Sequence, residues 1–154
     1  MTTPYLYPVN FINRKIGKRS DITSIATERK LNLSIHEKIG DYVVAIDHHR
    51  NILLHLNAGW KKSKLLVVDL KEVMSCAVIK QYTNIEAGGF RKNGLAYYIT
   101  KMFLHLRFYS TGSLSLPIYN YSNRNKNIKH IKNLEEKTER WKSIVSGQLI
   151  IRLS

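Results

Sequence analysis

The chain has 154 residues, enough for one domain that buries a core without help from a metal or a disulfide. Apolar residues make up 44%, which excludes wholesale disorder, and the single cysteine excludes an internal disulfide framework and any multi-cysteine zinc site. Lys and Arg outnumber Asp and Glu by 25 to 11, a net +14, and a field of that sign favours anionic partners such as nucleic acid, anionic lipid headgroups or an acidic protein.

Residues 1–30 read as a basic N-terminal arm ending in a short helix. Pro4, Pro8 and Asn10 interrupt any apolar run, so neither a signal peptide nor a membrane span is expected there. Arg14, Lys15, Lys18 and Arg19 cluster at the end of the extended part. Asp21 is placed to cap a helix reaching about Lys30, with Ile22, Ile25 and Ala26 on one face.

From Leu31 the period changes to two. Leu31, Leu33 and Ile35 alternate with polar residues as in a half-buried strand, which Gly40 punctuates. A hairpin follows, Tyr42–Ile46 and Ile52–Leu56, around the polar turn Asp47–Asn51. The basic loop Asn57–Lys64 leads to a strand over Leu65–Leu70. A polar corner at Lys71 and Glu72 precedes a strand over Val73–Tyr82, with Val73, Ser75, Ala77 and Ile79 expected on one side. Residues 84–95 hold three glycines and a basic trio and read as a mobile hairpin or a strand edge with a long loop. Tyr97–Tyr109 is a long strand, with Met102, Leu104, Leu106 and Phe108 on one face and Phe103, His105 and Arg107 on the other. After a turn at Ser110–Gly112, the strand Leu114–Tyr119 closes the β-region.

The C-terminal element differs in kind. Ile128, Ile131, Leu134, Trp141, Ile144, Val145 and Gln148 recur at helical steps, predicting an amphipathic helix over about 126–147. Gly147 is placed to end it, leaving residues 148–154 as an apolar tail available to a neighbouring sheet edge. A sheet that buries one face needs a cover, and this helix carries the complementary stripe. The reading is therefore α+β and mainly β, with residues 31–147 as one domain.

Six to seven antiparallel strands closed by a Trp-bearing helix resemble the pleckstrin-homology-like layout, an open barrel with one capping C-terminal helix. The phrases AIDHHRNILLHL, LLVVDLKEVMSCAVIKQY, KMFLHLRFYS, SLSLPIYNY and NLEEKTERWKSIV, over about residues 40–146, are similar to a group of bacterial proteins with such a domain. The resemblance implies the fold and supplies no activity or ligand. The lysine and arginine signature that marks phosphoinositide-binding relatives is absent, since the first hairpin turn offers only Arg50.

The chemistry-bearing residues form no catalytic pattern. The six histidines match no metal-ligating spacing, so neither metal nor cofactor is expected. Asp47 and Asp69 each end a strand, where Asp routinely caps the next turn. No serine stands in a nucleophile elbow, and Cys76 falls mid-strand as a core thiol. The expectation is a non-enzymatic interaction module in the cytoplasm, or peripheral to a membrane, whose ligand is a protein segment or an anionic surface. Two loops are the sequence-nominated site: Trp60 with Lys61, Lys62 and Lys64, and Phe90 with Arg91 and Lys92. An aromatic beside cations inserts into an interface or stacks on a base, and equally anchors its own loop. The alternative is a nucleic-acid-binding protein using Arg14, Lys15, Lys18 and Arg19 together with Lys129, Lys132 and Arg140 on the outer helix face, and a second alternative is a small enzyme without a recognisable motif.

Overall fold

A computed structural model describes residues 12–16, 22–58, 63–83, 94–120 and 128–153. In chain order the described elements are β1 (Ile12–Ile16), α1 (Ile22–Glu28), β2 (Ile35–Ile39), β3 (Tyr42–Asp47), β4 (Ile52–Ala58), β5 (Ser63–Asp69), β6 (Val73–Tyr82), β7 (Ile99–Phe108), β8 (Ser113–Asn120) and α2 (Ile128–Leu153). Short 3-10 turns at Leu70–Glu72 and Leu95–Tyr98 lead into β6 and β7. The strands form two antiparallel sheets, β1-β5-β4-β3-β2 and β6-β7-β8. No described strand is shared between them, so the described sheets do not close into one hydrogen-bonded barrel.

Local chemistry sets the turns. Ile39 pairs with Tyr42, leaving a two-residue connection whose first member, Gly40, has φ +60°, a conformation that favours glycine. In the β3–β4 hairpin the Asp47 carboxylate accepts from the backbone N–H of His49 (3.0 Å), Arg50 (3.1 Å) and, across the sheet edge, Asn32 (2.9 Å). Those bonds hold a buried acid in place and shape the turn that Asn51 completes at φ +57°. Asp69 caps the following 3-10 turn by accepting from the Lys71 N–H at 2.9 Å.

The main core lies between the sheets. It joins Ile39, Val44, Ile46, Leu53, Leu66 and Val68 of the first sheet to Met102, Leu104, Leu106, Leu114, Leu116 and Ile118 of the second. Ile131, Leu134, Trp141, Val145 and Leu149 of α2 complete it. A second apolar layer covers the opposite face of the first sheet, where Ile22 and Ile25 of α1 pack on Ala45, Leu54, Leu56, Leu65 and Val67. Strands β3, β4 and β5 are thus buried on both faces. That is why they read as near-continuous apolar runs instead of alternating ones.

Four expectations change. The extended arm contains β1, antiparallel to β5, with Arg14 opposite Leu65 and Lys15 opposite Lys64. The strand expected from Leu31 begins at Ile35; Leu31 and Leu33 instead pack partly buried on the second core layer. In β6 a register shift between Val73 and Ser75 breaks the expected single face. Val73 and Cys76 are buried, while Ala77 and Ile79 are exposed. Finally, α2 runs through Gly147 to Leu153, so the helix does not end at Gly147 and residues 148–153 of the expected tail are helical. Burial of Gln148 and Leu149 on that last stretch outweighs the roughly 1 kcal/mol that an interior glycine costs a helix. The proposed cap Asp21 lies outside the described residues.

Candidate functional site

Of the loop residues nominated by sequence, Trp60, Lys61, Lys62, Phe90, Arg91 and Lys92 lie outside the described residues, as do Lys18 and Arg19. Lys64 is exposed on β5, opposite Asn57 and Lys15. Lys129 and Lys132 are exposed near the start of α2. Arg140 does not serve as an open cation on the outer helix face. Its guanidinium donates to both carboxylate oxygens of Glu37 on β2, at 2.7 and 2.6 Å. The structure therefore does not gather the expected helix-face set into one patch, and Glu135, Glu136 and Glu139 interleave with it.

Glu37 is the centre of a clasp. The Trp141 indole Nε1 also donates to it, at 2.9 Å, and Lys137 approaches at 3.7 Å. Burial pushes the Glu37 carboxyl up, but the Arg140 and Trp141 hydrogen bonds and the two nearby cations outweigh it and hold the group below its usual range. On the second sheet Lys80 of β6 reaches Glu135 (2.8 Å) and Glu139 (3.3 Å). Burial opposes the charged ammonium, yet the two carboxylates raise its pKa. At the far end of α2, the Gln148 amide donates to the His48 carbonyl (2.9 Å) and to the Asn51 side chain, and its oxygen lies 2.8 Å from His48 Nδ1. These polar groups fasten the helix across the gap between the sheets.

The buried titratable groups are structural as well. His55 of β4, 2% exposed, sends Nε2 to the Pro117 carbonyl of β8 at 2.7 Å, a hydrogen bond that joins the two sheets. Since a backbone carbonyl only accepts, Nε2 carries the proton. Desolvation lowers the His55 pKa to about 4, keeping the ring neutral. Burial pushes the Cys76 thiol up to about 12, the opposite of an activated nucleophile. Asp47 and Asp69 both flank Ile52 in register, so they stand two strands apart, about 10 Å. Each is engaged by its own turn, and they share no proton. Among the described residues no group of three or more His, Cys, Asp or Glu is arranged to hold a metal.

The outer face of β6-β7-β8 is built differently. Central strand β7 points Phe103, His105 and Arg107 outward, each between two flanking residues in register. Phe103 sits between Ile79 and Pro117, His105 between Ala77 and Ser115, and Arg107 between Ser75 and Ser113. The three rows grade from apolar, through small and weakly polar, to cationic with hydroxyls. His105 Nδ1 lies 2.8 Å from Ser115 Oγ. At the Arg107 end the face deepens into an open concavity of about 490 Å³, lined also by Met74, Tyr109 and the turn Ser110–Ser113. Lys101 is exposed at the other end. The three strands contain no Asp or Glu.

No described element covers this face, whereas both faces of β3, β4 and β5 are covered. Met74, Ile79 and Tyr109 remain 41%, 36% and 49% exposed. The sequence placed Phe103, His105 and Arg107 on one side of a strand but did not nominate them. The signal available was the absence of acids across three consecutive strands that carry Lys80, Lys101 and Arg107.

No protein-family model matches the chain, and neither does any curated protein or solved structure. Among the described residues no helix is long and apolar enough to cross a membrane.

Proposed function

We propose that this chain is a non-enzymatic interaction module of pleckstrin-homology-like architecture that engages its partner through the outer face of β6-β7-β8. The element order supports the architecture: a meander β2–β5, a second meander β6–β8, then the helix α2 packed into the gap between them. The additions β1 and α1 and the unclosed sheets are departures from that plan.

One observation carries the functional reading. The face presents apolar and cationic side chains in cross-strand register while nothing described packs on it, and exposed apolar surface rimmed by polar groups marks an interaction site. The described titratable groups elsewhere support a binding role over catalysis, because His55, Asp47, Glu37 and Lys80 are each held in a structural contact. A cytoplasmic address fits the reduced, buried thiol of Cys76.

The test is site-directed photocrosslinking in native lysate. A photoreactive residue at Ile79 or Ser115 is expected to form a discrete adduct, and one at Lys132 on α2 is not. Adducts at Lys132 alone, or at none of the three positions, would remove the sheet face as the contact surface.

A further inference from the structure

Resting on the proposal that this sheet face is the contact surface, we infer that its occupant is a single-stranded nucleic acid segment. Charge narrows the choice first. Lys101 and Arg107 stand six residues apart on β7, about 20 Å along the strand, and none of the three strands contributes a carboxylate between them. Among the described residues no ion pair engages either cation. The face therefore complements an extended anion whose charge repeats along its length.

Side-chain chemistry narrows it further. Phe103, between Ile79 and Pro117, offers a flat apolar row on which a base can lie, and base–aromatic stacking tolerates any sequence. Four residues along β7, about 13 Å, Arg107 stands between Ser75 and Ser113. Its flanking side chains are too small to cover the guanidinium, so it is open to a bidentate phosphate contact with hydroxyl donors on either side. His105, beside Ala77 and Ser115, lies between the stacking row and the phosphate row. A stacking surface in line with an anion site suits a polynucleotide, and a strand without secondary structure presents bases and phosphates together along an extended path.

The competing occupants fit less of this pattern. Insertion into a lipid interface strips water from Ser75 and Ser113 with no described partner to replace it. A duplex keeps its bases stacked inward and leaves the Phe103 row unused. The helix face competes less, because Glu135, Glu136 and Glu139 lie between Lys132 and Arg140.

The test is fluorescence anisotropy with a labelled 12-nucleotide oligouridylate, a hairpin duplex of equal charge and phosphatidylserine vesicles, across 25–200 mM NaCl. The single strand is expected to bind more tightly than the duplex, with affinity falling linearly in log–log with salt. Arg107→Glu and Lys101→Glu are each expected to weaken binding by about tenfold or more. Phe103→Leu, which keeps the row apolar, should weaken it by about fivefold or more through lost stacking. Lys129→Glu and Lys132→Glu should change it by less than about threefold, and thermal melts verify that every variant is folded.

Absence of binding at 25 mM NaCl overturns the inference, as does equal weakening by the helix-face variants or a preference for vesicles. Nuclease treatment separates the two levels. A crosslink at Ile79 that survives nuclease, with no oligonucleotide affinity, overturns the nucleic-acid assignment and leaves the sheet-face reading standing. Absence of the sheet-face crosslinks before nuclease, together with no oligonucleotide binding, overturns both.

Discussion

His55 shows how much one side chain carries. Its hydrogen bond to the Pro117 carbonyl crosses from β4 to β8, so a titratable ring sits on the seam between the two sheets. Below about pH 6.5 the unfolded chain takes up a proton at this ring that the folded chain refuses until about pH 4. The contribution is therefore complete above 6.5 and is lost as pH falls toward 4, at about 1.4 kcal/mol per unit and up to about 3 kcal/mol in all. Denaturant midpoints measured from pH 7 to 4.5 should fall steadily, and His55→Phe should flatten that slope while costing about 1 kcal/mol at pH 7 for the lost bond. A variant with the parent's slope assigns it to another group. Glu37 and Asp47, whose carboxyls lie below their usual ranges, lose their contributions at lower pH, below the ordinary carboxyl range. Cys76 provides a second residue-level check. A buried thiol with its pKa raised to about 12 should react with a disulfide reagent at neutral pH only as fast as the chain opens, and should react fully in denaturant. Rapid labelling of the native protein would contradict the burial.

At the scale of elements, α2 is where the expectation and the structure part most clearly. The apolar steps from Ile128 to Val145 were legible because a 3.6-residue period survives in any context. The end of the helix was not, because Gly147 stops a helix only when a left-handed conformation follows, and that depends on what comes next in space. Here Gln148 reaches the β3–β4 turn and Leu149 enters the main core. Deleting residues 148–154 should therefore destabilise the protein by about 3 kcal/mol, through lost Leu149 burial and unpaired groups in the turn. A dispensable tail would leave the denaturation midpoint unchanged. β6 teaches a similar lesson. Its alternation was visible, but one extra residue at the Val73–Ser75 shift reverses which side faces inward, and a shift of that kind leaves no mark on composition.

For the molecule as a whole, the organising fact is a first sheet whose strands β3–β5 are covered on both sides, beside a second sheet whose described cover lies on one. The short helix α1 is no appendage: Ile22 and Ile25 close the outer layer over Leu54, Leu56 and Leu65. Ile25→Ser should cost about 3 kcal/mol in denaturant unfolding, since it removes core volume and buries a hydroxyl. A near-neutral result would mean that the N-terminal helix does not seal the sheet. The net charge of +14 is spread along the chain, yet its effect at the surface is uneven. Pairing of Lys80, Lys137 and Arg140 with α2 and β2 carboxylates takes part of it inward, and the acid-free sheet keeps Lys101 and Arg107 open.

The sequence by itself determined the antiparallel strands, the hairpin at Asp47–Asn51, the amphipathic C-terminal helix and the absence of a disulfide framework. Each of these is written in local period, turn chemistry or residue count. Only the tertiary structure decided that Arg140 answers to Glu37, that β3–β5 are covered twice, and that Phe103, His105 and Arg107 share an open face. Those outcomes depend on groups far apart in the chain meeting across two sheets, and no local pattern encodes which sheet face finds a cover.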